Sequence, residues 1–291
     1  MDILTKIALP VFRYRQKMIA RYAEDTDILQ KKQLQALLNK AARTEWGKKY
    51  DFKSIRTYAD FCERIPLQTY DDLKPDIIRM INGEKDILWP GTVKWYAKSS
   101  GTTNDKSKFI PVTFDILNTC HYKGGMDCVG LYLENNPKSN FFARKGLILG
   151  GSHSSSPLNA QSRYGDLSAV LLQRLNPLVN LIRVPKKEII LMDEWESKIK
   201  AIIDSTWNVD VNSLSGVPSW MLVLIKALLE KTGKTYLTEV WPNLEVFFHG
   251  GISFEPYREL YKNVIPSDKM HYMETYNASE GFFGIQNDLS D

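Results

Sequence analysis

Three short stretches of this chain hold side chains of the kinds that handle phosphate, an aromatic base and a divalent cation. The first is WYAKSSGTTNDKSKFIPVT, residues 95–113. Ser99, Ser100, Thr102 and Thr103 place four hydroxyls around Gly101, while Lys98, Lys106 and Lys108 add charge. Phosphate oxygens are held by backbone N–H groups, hydroxyls and lysine, and backbone comes close only where side chains are small. A phosphate cradle and a Ser/Thr-rich turn at a hairpin tip both fit this segment taken alone.

The second stretch is METYNASEGFFG, residues 273–284. An apolar strand delivers Tyr276, then Ser279, Glu280 and Gly281. An aromatic at a strand end can stack on a base, a hydroxyl can meet a phosphate, and a carboxylate can hold Mg²⁺ beside it. A plain strand and turn, with Glu280 solvated, explains the same residues. The third stretch, LEVFFHGGISFEPY at 244–257, runs a strand into Gly250–Gly251, whose bare backbone leaves room for a flat ring.

The elements around these stretches set the fold class. Residues 1–92 read mainly as helix: DILQKKQLQALLNKAARTEWG aligns Ile28, Leu34, Leu37, Leu38 and Ala41 on one stripe and ends at Gly47 as a C-terminal cap. From residue 93 onward, short apolar runs alternate with helical stretches, and several runs end in Gly or Ser. That alternation predicts an α/β domain, its sheet mainly parallel or mixed, with the helical third packed on it. In such sheets ligands bind outside the carboxyl ends of the strands. No linker or repeat divides the chain, so residues 1–291 read as one large domain.

Other polar motifs carry less. KTGKTY at 231–236 has Leu228 where a P-loop needs its first glycine, and it follows an apolar helix rather than preceding one; Gly233 reads as a helix cap. GGSHSSSP at 150–157 lacks the Gly-x-Ser-x-Gly nucleophile elbow and reads as a polar loop. Cys120, His121 and Cys128 lack a metal-site spacing and read as helix residues.

Composition narrows the class. Of 291 residues 43% are hydrophobic and 25% charged, which suits a globular protein, and the net charge of +4 is too mild to imply nucleic acid. Three cysteines, an odd number without disulfide spacing, suit a reducing, cytoplasmic compartment. The N-terminal run MDILTKIALPVFRYRQK places Ile3, Leu4, Ile7, Val11 and Phe12 at helical spacing. A helix packed by that apolar face is the expectation, with a helix lying on a membrane surface as the other reading. No segment approaches the roughly 18 unbroken apolar residues of a membrane span, so no stable insertion is expected.

Taken together and in this order, the three stretches resemble the acyl-adenylating enzyme superfamily, and more closely the auxin-responsive acyl-acid amido synthetases. The family's phosphate motif, Ser-Ser-Gly-Thr-Thr and after a spacer Lys, is matched by Ser99, Ser100, Gly101, Thr102, Thr103 and Lys108. Its Tyr-x-x-Ser-Glu-Gly motif is matched by Tyr276, Ser279, Glu280 and Gly281, and Gly250–Gly251 matches the loop beside adenine. The resemblance implies two half-reactions, with ATP and Mg²⁺ as cofactors and a small carboxylic acid and an amino acid as substrates. It implies that Ser99 to Thr103 cradle the β- and γ-phosphates near Lys108, Tyr276 flanks adenine, Ser279 reaches the α-phosphate and Glu280 holds Mg²⁺. Val217 and Trp220, in SGVPSWMLVL, are expected to help form the acyl pocket, although core packing explains them equally.

Two departures from the family pattern stand out. Asp105 occupies a spacer position where the family usually has glycine, which places a negative charge near phosphate. The chain also stops ten residues after Gly281, whereas family members continue into a ribose-binding aspartate, a hinge and a smaller closing domain. The expectation is therefore a fragment of a longer ligase, its C-terminal domain supplied by that longer chain, with a natural short form of reduced or altered activity as the other reading. A carboxylate–CoA ligase, or an inert nucleotide-binding scaffold, are the alternatives.

Overall fold

Nine strands form, six of them on short apolar runs of the sequence. The nine are β1 (Trp95–Ser99), β2 (Lys108–Val112), β3 (Lys145–Ile148), β4 (Arg163–Gly165), β5 (Arg183–Val184), β6 (Val211–Gly216), β7 (Val246–Gly250), β8 (His271–Ala278) and β9 (Gly281–Ile285), of which β4, β5 and β9 fall outside those runs. The computed structural model describes residues 2–99, 107–152, 158–175 and 177–289, and this strand count refers to them. The chain divides into two compact units, one of residues 1–16, 114–153 and 165–291, the other of residues 17–113 and 154–164.

The larger unit is built on a six-stranded sheet of order β5-β3-β6-β7-β8-β9. Every pairing from β5 to β8 is parallel, and only β9 runs antiparallel, against β8. The expectation of a mainly parallel α/β sheet therefore holds. Both faces are covered, as parallel strands require. On one, Leu147, Leu214 and Phe247 pack with Ile202 of the Trp195–Thr206 helix, Ile225 of the Pro218–Thr232 helix and Tyr261 of the Arg258–Val264 helix. On the other, Val246 and Met273 pack with Tyr132 and Leu133 of the Tyr122–Asn135 helix. The alternation of Val246 with Phe247 between the two faces follows from the two-residue repeat of a strand.

The smaller unit holds the helices between residues 26 and 81 and most of the three-stranded sheet β2-β1-β4. Its helix starts are written in sequence: Thr57 with Asp60, and Thr69 with Asp72, form reciprocal capping boxes that satisfy the first-turn N–H groups. Ile77, Met80, Ile87, Val93 and Tyr96 make its core.

Two expectations are corrected here. Gly47 does not cap the long helix: Thr26–Ala41 ends earlier, and Gly47 lies inside the short helix Glu45–Lys49, capped by Thr44. Glycine is needed there because a Cβ would overlap the carbonyl oxygen of Ala41. Of the apolar residues expected to pack the N-terminal helix Ile3–Ala20, only Phe12 does, stacked on Phe142; Thr5 and Gln16 are buried beside it, while Ile3, Leu4, Ile7 and Val11 are exposed. Thr5 accepts from the Phe142 N–H, and Gln16 donates to the carbonyl of Asp127, so polar groups with partners occupy the buried side. Gly233, by contrast, does cap the Pro218–Thr232 helix, with φ of 65° in the left-handed region.

Candidate functional site

The carboxyl ends of β6, β7 and β8 lie side by side, because the strands are parallel neighbours in register. Gly216 stands opposite His249, and Gly250 opposite Thr275. Each end is stripped of bulk for a local reason. A Cβ at 216 would come within 2.9 Å of the Leu149 carbonyl oxygen, and one at 250 would overlap that of Thr275. Gly251 follows with φ of 85°, and the methyl of Val217 lies 3.4 Å from where its Cβ would sit. Of the two residues expected in an acyl pocket, Val217 therefore meets the Gly250–Gly251 turn, whereas Trp220 pairs with Trp195, ring centroids 5.5 Å apart.

Beneath this edge His249 is buried and stacks on Phe254 at 4.1 Å. Burial, reinforced by the charge of Arg258, pushes its imidazole down to about 4, so the ring is neutral near pH 7. Thr275 donates its hydroxyl to the His249 carbonyl at 3.1 Å, tying β7 to β8 just before the glycines.

The strand β8 runs past its neighbours and reverses at Ser279–Glu280 into β9, with Ala278 opposite Gly281. Tyr276 projects from β8, exposed, its ring 5.2 Å from Phe283. Glu280 is exposed and Ser279 half-buried at the tip. Among the described residues no group of three or more His, Cys, Asp or Glu side chains gathers as a metal cage. A single carboxylate still suits Mg²⁺, which is held by one or two carboxylates together with phosphate oxygens and water.

Sequence reasoning missed what anchors this hairpin. A π-helical turn, Leu117–His121, lies beside it, and such turns recur at functional sites. His121 Nδ1 is 2.9 Å from Asn277 Oδ1, and the Phe282 N–H donates to Cys120 Sγ at 3.2 Å. Burial pushes the His121 imidazole down, and the Asn277 contact opposes part of that shift. No local signal marks this pairing, because the partners stand 156 positions apart in sequence.

In the smaller unit, β1 and β2 pair antiparallel up to Ser99 opposite Lys108. The Lys108 ammonium lies 5.6 Å above the ring of Tyr70, whose hydroxyl accepts from the Phe109 N–H at 2.9 Å. Ser100, Gly101, Thr102 and Thr103, with Asp105, lie outside the described residues.

A parallel sheet with both faces covered and small residues at its carboxyl edge is the plan of an α/β ligand-binding domain. The fold is shared with a solved GH3.15 acyl acid amido synthetase, TM-score 0.77 at 18% identity, covering 94% of this chain and 58% of that one. A second structure of that synthetase, in complex with 2,4-DB, superposes with TM-score 0.77. The chain belongs to the GH3 family: it matches the GH3 family N-terminal domain over residues 15–270. It is 24% identical to the indole-3-acetic acid-amido synthetase GH3.4 of Arabidopsis thaliana, over 92% of this chain and 54% of that protein. It is 25% identical to the 4-substituted benzoates-glutamate ligase GH3.12 of the same plant, over 78% of this chain and 49% of that protein. The chain thus spans about half the length of these curated relatives.

Proposed function

We propose that this chain is the adenylating part of an ATP-dependent acid–amino acid ligase. The observation that carries the reading is the meeting, on one sheet edge, of Gly250 at the end of β7 with β8, the strand that bears Tyr276 and leads into the Ser279–Glu280 turn. In the first half-reaction a carboxylate oxygen of the acid attacks the α-phosphorus of ATP and pyrophosphate leaves. In the second, an amino acid nitrogen attacks the acyl carbonyl, AMP leaves with the bonding pair, and the nitrogen loses a proton. Neither step needs a covalent protein nucleophile; both need alignment and charge neutralisation.

The residues divide these tasks as follows. Gly250–Gly251 give a flat base access to bare backbone, and the exposed ring of Tyr276 covers it. Ser279 donates to the α-phosphate, and Glu280 holds Mg²⁺, which neutralises phosphate charge when bound. Ser99 to Thr103 and Lys108 hold the outer phosphates. Val217 borders the acid. Three free cysteines support a reducing, cytoplasmic setting.

The test is calorimetric titration with Mg²⁺-ATP, followed by acid-dependent exchange of pyrophosphate into ATP across a panel of aryl and indolyl acids. Saturable ATP binding with acid-stimulated exchange is expected. Full turnover that needs CoA and yields a thioester, with no amide formed from any amino acid, would overturn the amide-forming assignment.

A further inference from the structure

The N-terminal helix Ile3–Ala20 displays its apolar stripe to solvent. Ile3, Leu4, Ile7, Val11 and Tyr14 are 58–75% exposed. At about 100° per residue these five positions fall within an arc of roughly 100°, so they form one continuous band. Lys6, Arg13 and Lys17, all exposed, fall within about 40° of one another along one flank of that band. The helix contains no acidic residue.

The opposite side is fixed in place. At the band's other edge Arg15 makes two hydrogen bonds to the Asp127 carboxylate, at 2.7 and 2.8 Å. Gln16 reaches the Asp127 carbonyl, Phe12 stacks on Phe142 with centroids 5.7 Å apart, and Leu9 and Phe12 join the cluster around Tyr132 and Met273. The band is thus held outward by its own fold, on a helix whose buried side is already satisfied.

We propose that this face docks on an anionic lipid surface. The combination of a narrow apolar band, a row of bases beside it and an aromatic ring in Tyr14 is the composition of a helix that lies in a headgroup layer. Charge decides against a second copy of the chain: two such faces packed together would bring one basic row against another, with no carboxylate on the helix to meet it. The helix rests on the membrane and does not cross it, for no helix among the described residues is long and apolar enough to span one. Association is reversible, because one short band and three bases supply only part of what stable anchoring takes. This inference is independent of the ligase reading.

The experiment is co-sedimentation of the whole chain with vesicles of phosphatidylcholine alone and of equal parts phosphatidylcholine and phosphatidylserine. The expected result is sedimentation with the phosphatidylserine vesicles only, weakening as salt rises. The variants I7E/V11E and K6E/R13E are each expected to lose about tenfold or more in apparent partitioning. Their melting temperature and Mg²⁺-ATP binding should stay at the wild-type values, which separates a lost surface from a lost fold. Failure of the wild-type chain to sediment with phosphatidylserine vesicles would overturn the proposal. So would equal partitioning of the charge-reversed variant, or a concentration-dependent dimer that I7E/V11E abolishes while vesicle binding is absent.

Discussion

His121 and Asn277 join a π-helical turn to the hairpin tip, imidazole Nδ1 to amide Oδ1 at 2.9 Å, although they stand 156 positions apart in sequence. The contact sits two residues before Ser279 and ties the end of β8 to the turn beside it. With the proton on Nδ1 the ring donates to the amide oxygen, and its Nε2 is buried with no hydrogen-bond partner among the described residues.

Removing the amide therefore leaves the imidazole buried with both nitrogens unpaired. Asn277→Ala is expected to cost about 1–3 kcal/mol, the penalty for stranding a buried polar group. Urea denaturation measures it. Because the same change loosens the hairpin, Mg²⁺-ATP affinity should fall as well, while Asn277→Asp, which keeps an acceptor oxygen, should retain more of both. Equal stability of Asn277→Ala and wild type would mean the contact holds nothing in place.

His249 gives the fold a measurable sensitivity to acid. Its imidazole takes a proton in the unfolded chain near the ordinary value of 6.5, but in the folded protein only at about 4. Between those values the unfolded state binds more protons, so stability is full above about pH 6.5 and falls as pH drops toward 4. A separation of this size corresponds to at most about 3 kcal/mol. His121 is shifted in the same direction and adds to the slope. The check is a pair of unfolding curves for wild type and His249→Phe from about pH 7 to about pH 4.5. The variant, whose ring can keep the stack on Phe254, should lose less stability on acidification. Parallel curves would show that His249 is protonated as readily in the fold as outside it.

Gly250 and Gly233 separate two reasons for glycine. At Gly233 the backbone is left-handed, with φ of 65°, and the space around it is open. Gly233→Ala should therefore cost only about 1 kcal/mol. At Gly250 the obstacle is the backbone of β8 itself, since a Cβ would overlap the Thr275 carbonyl oxygen. Gly250→Ala must push β7 and β8 apart where they are paired, so it should cost more than Gly233→Ala, about 2 kcal/mol or above. It should also weaken Mg²⁺-ATP binding, which Gly233→Ala should leave alone. Thermal melts and calorimetry on the two variants decide the order.

Which of these features can be read from sequence follows from how local their causes are. Gly233 is legible as a cap, because a glycine after an apolar helix is a local signal. The N-terminal helix misled by the same logic. Its apolar residues recur at helical spacing, but Thr5, Gln16 and Arg15 find partners at Phe142 and Asp127, and those partners fix which side is buried. Gly47 misled similarly, since its contact with Ala41 depends on a turn that Thr44 caps. At the sheet edge, Gly250 and Tyr276 could be read as strand ends. Their adjacency could not, because it comes from the parallel register of β7 on β8 across 20 intervening residues, 251–270.

Glu280 offers the sharpest separation of function from stability. It is exposed at a two-residue turn and has no ion-pair partner to lose among the described residues, so Glu280→Ala should leave the unfolding midpoint within about 0.5 kcal/mol of wild type. If its carboxylate holds Mg²⁺ beside the phosphates, the same variant should bind Mg²⁺-ATP about tenfold more weakly, or ~1.4 kcal/mol. The affinity that remains should lose its dependence on Mg²⁺ concentration, while Glu274→Ala, an exposed carboxylate earlier on β8, should behave as wild type. Titrations with and without the metal, on all three proteins, measure this. Unchanged affinity and unchanged metal dependence in Glu280→Ala would remove Glu280 from the site, and would leave the phosphates to the lysines and hydroxyls alone.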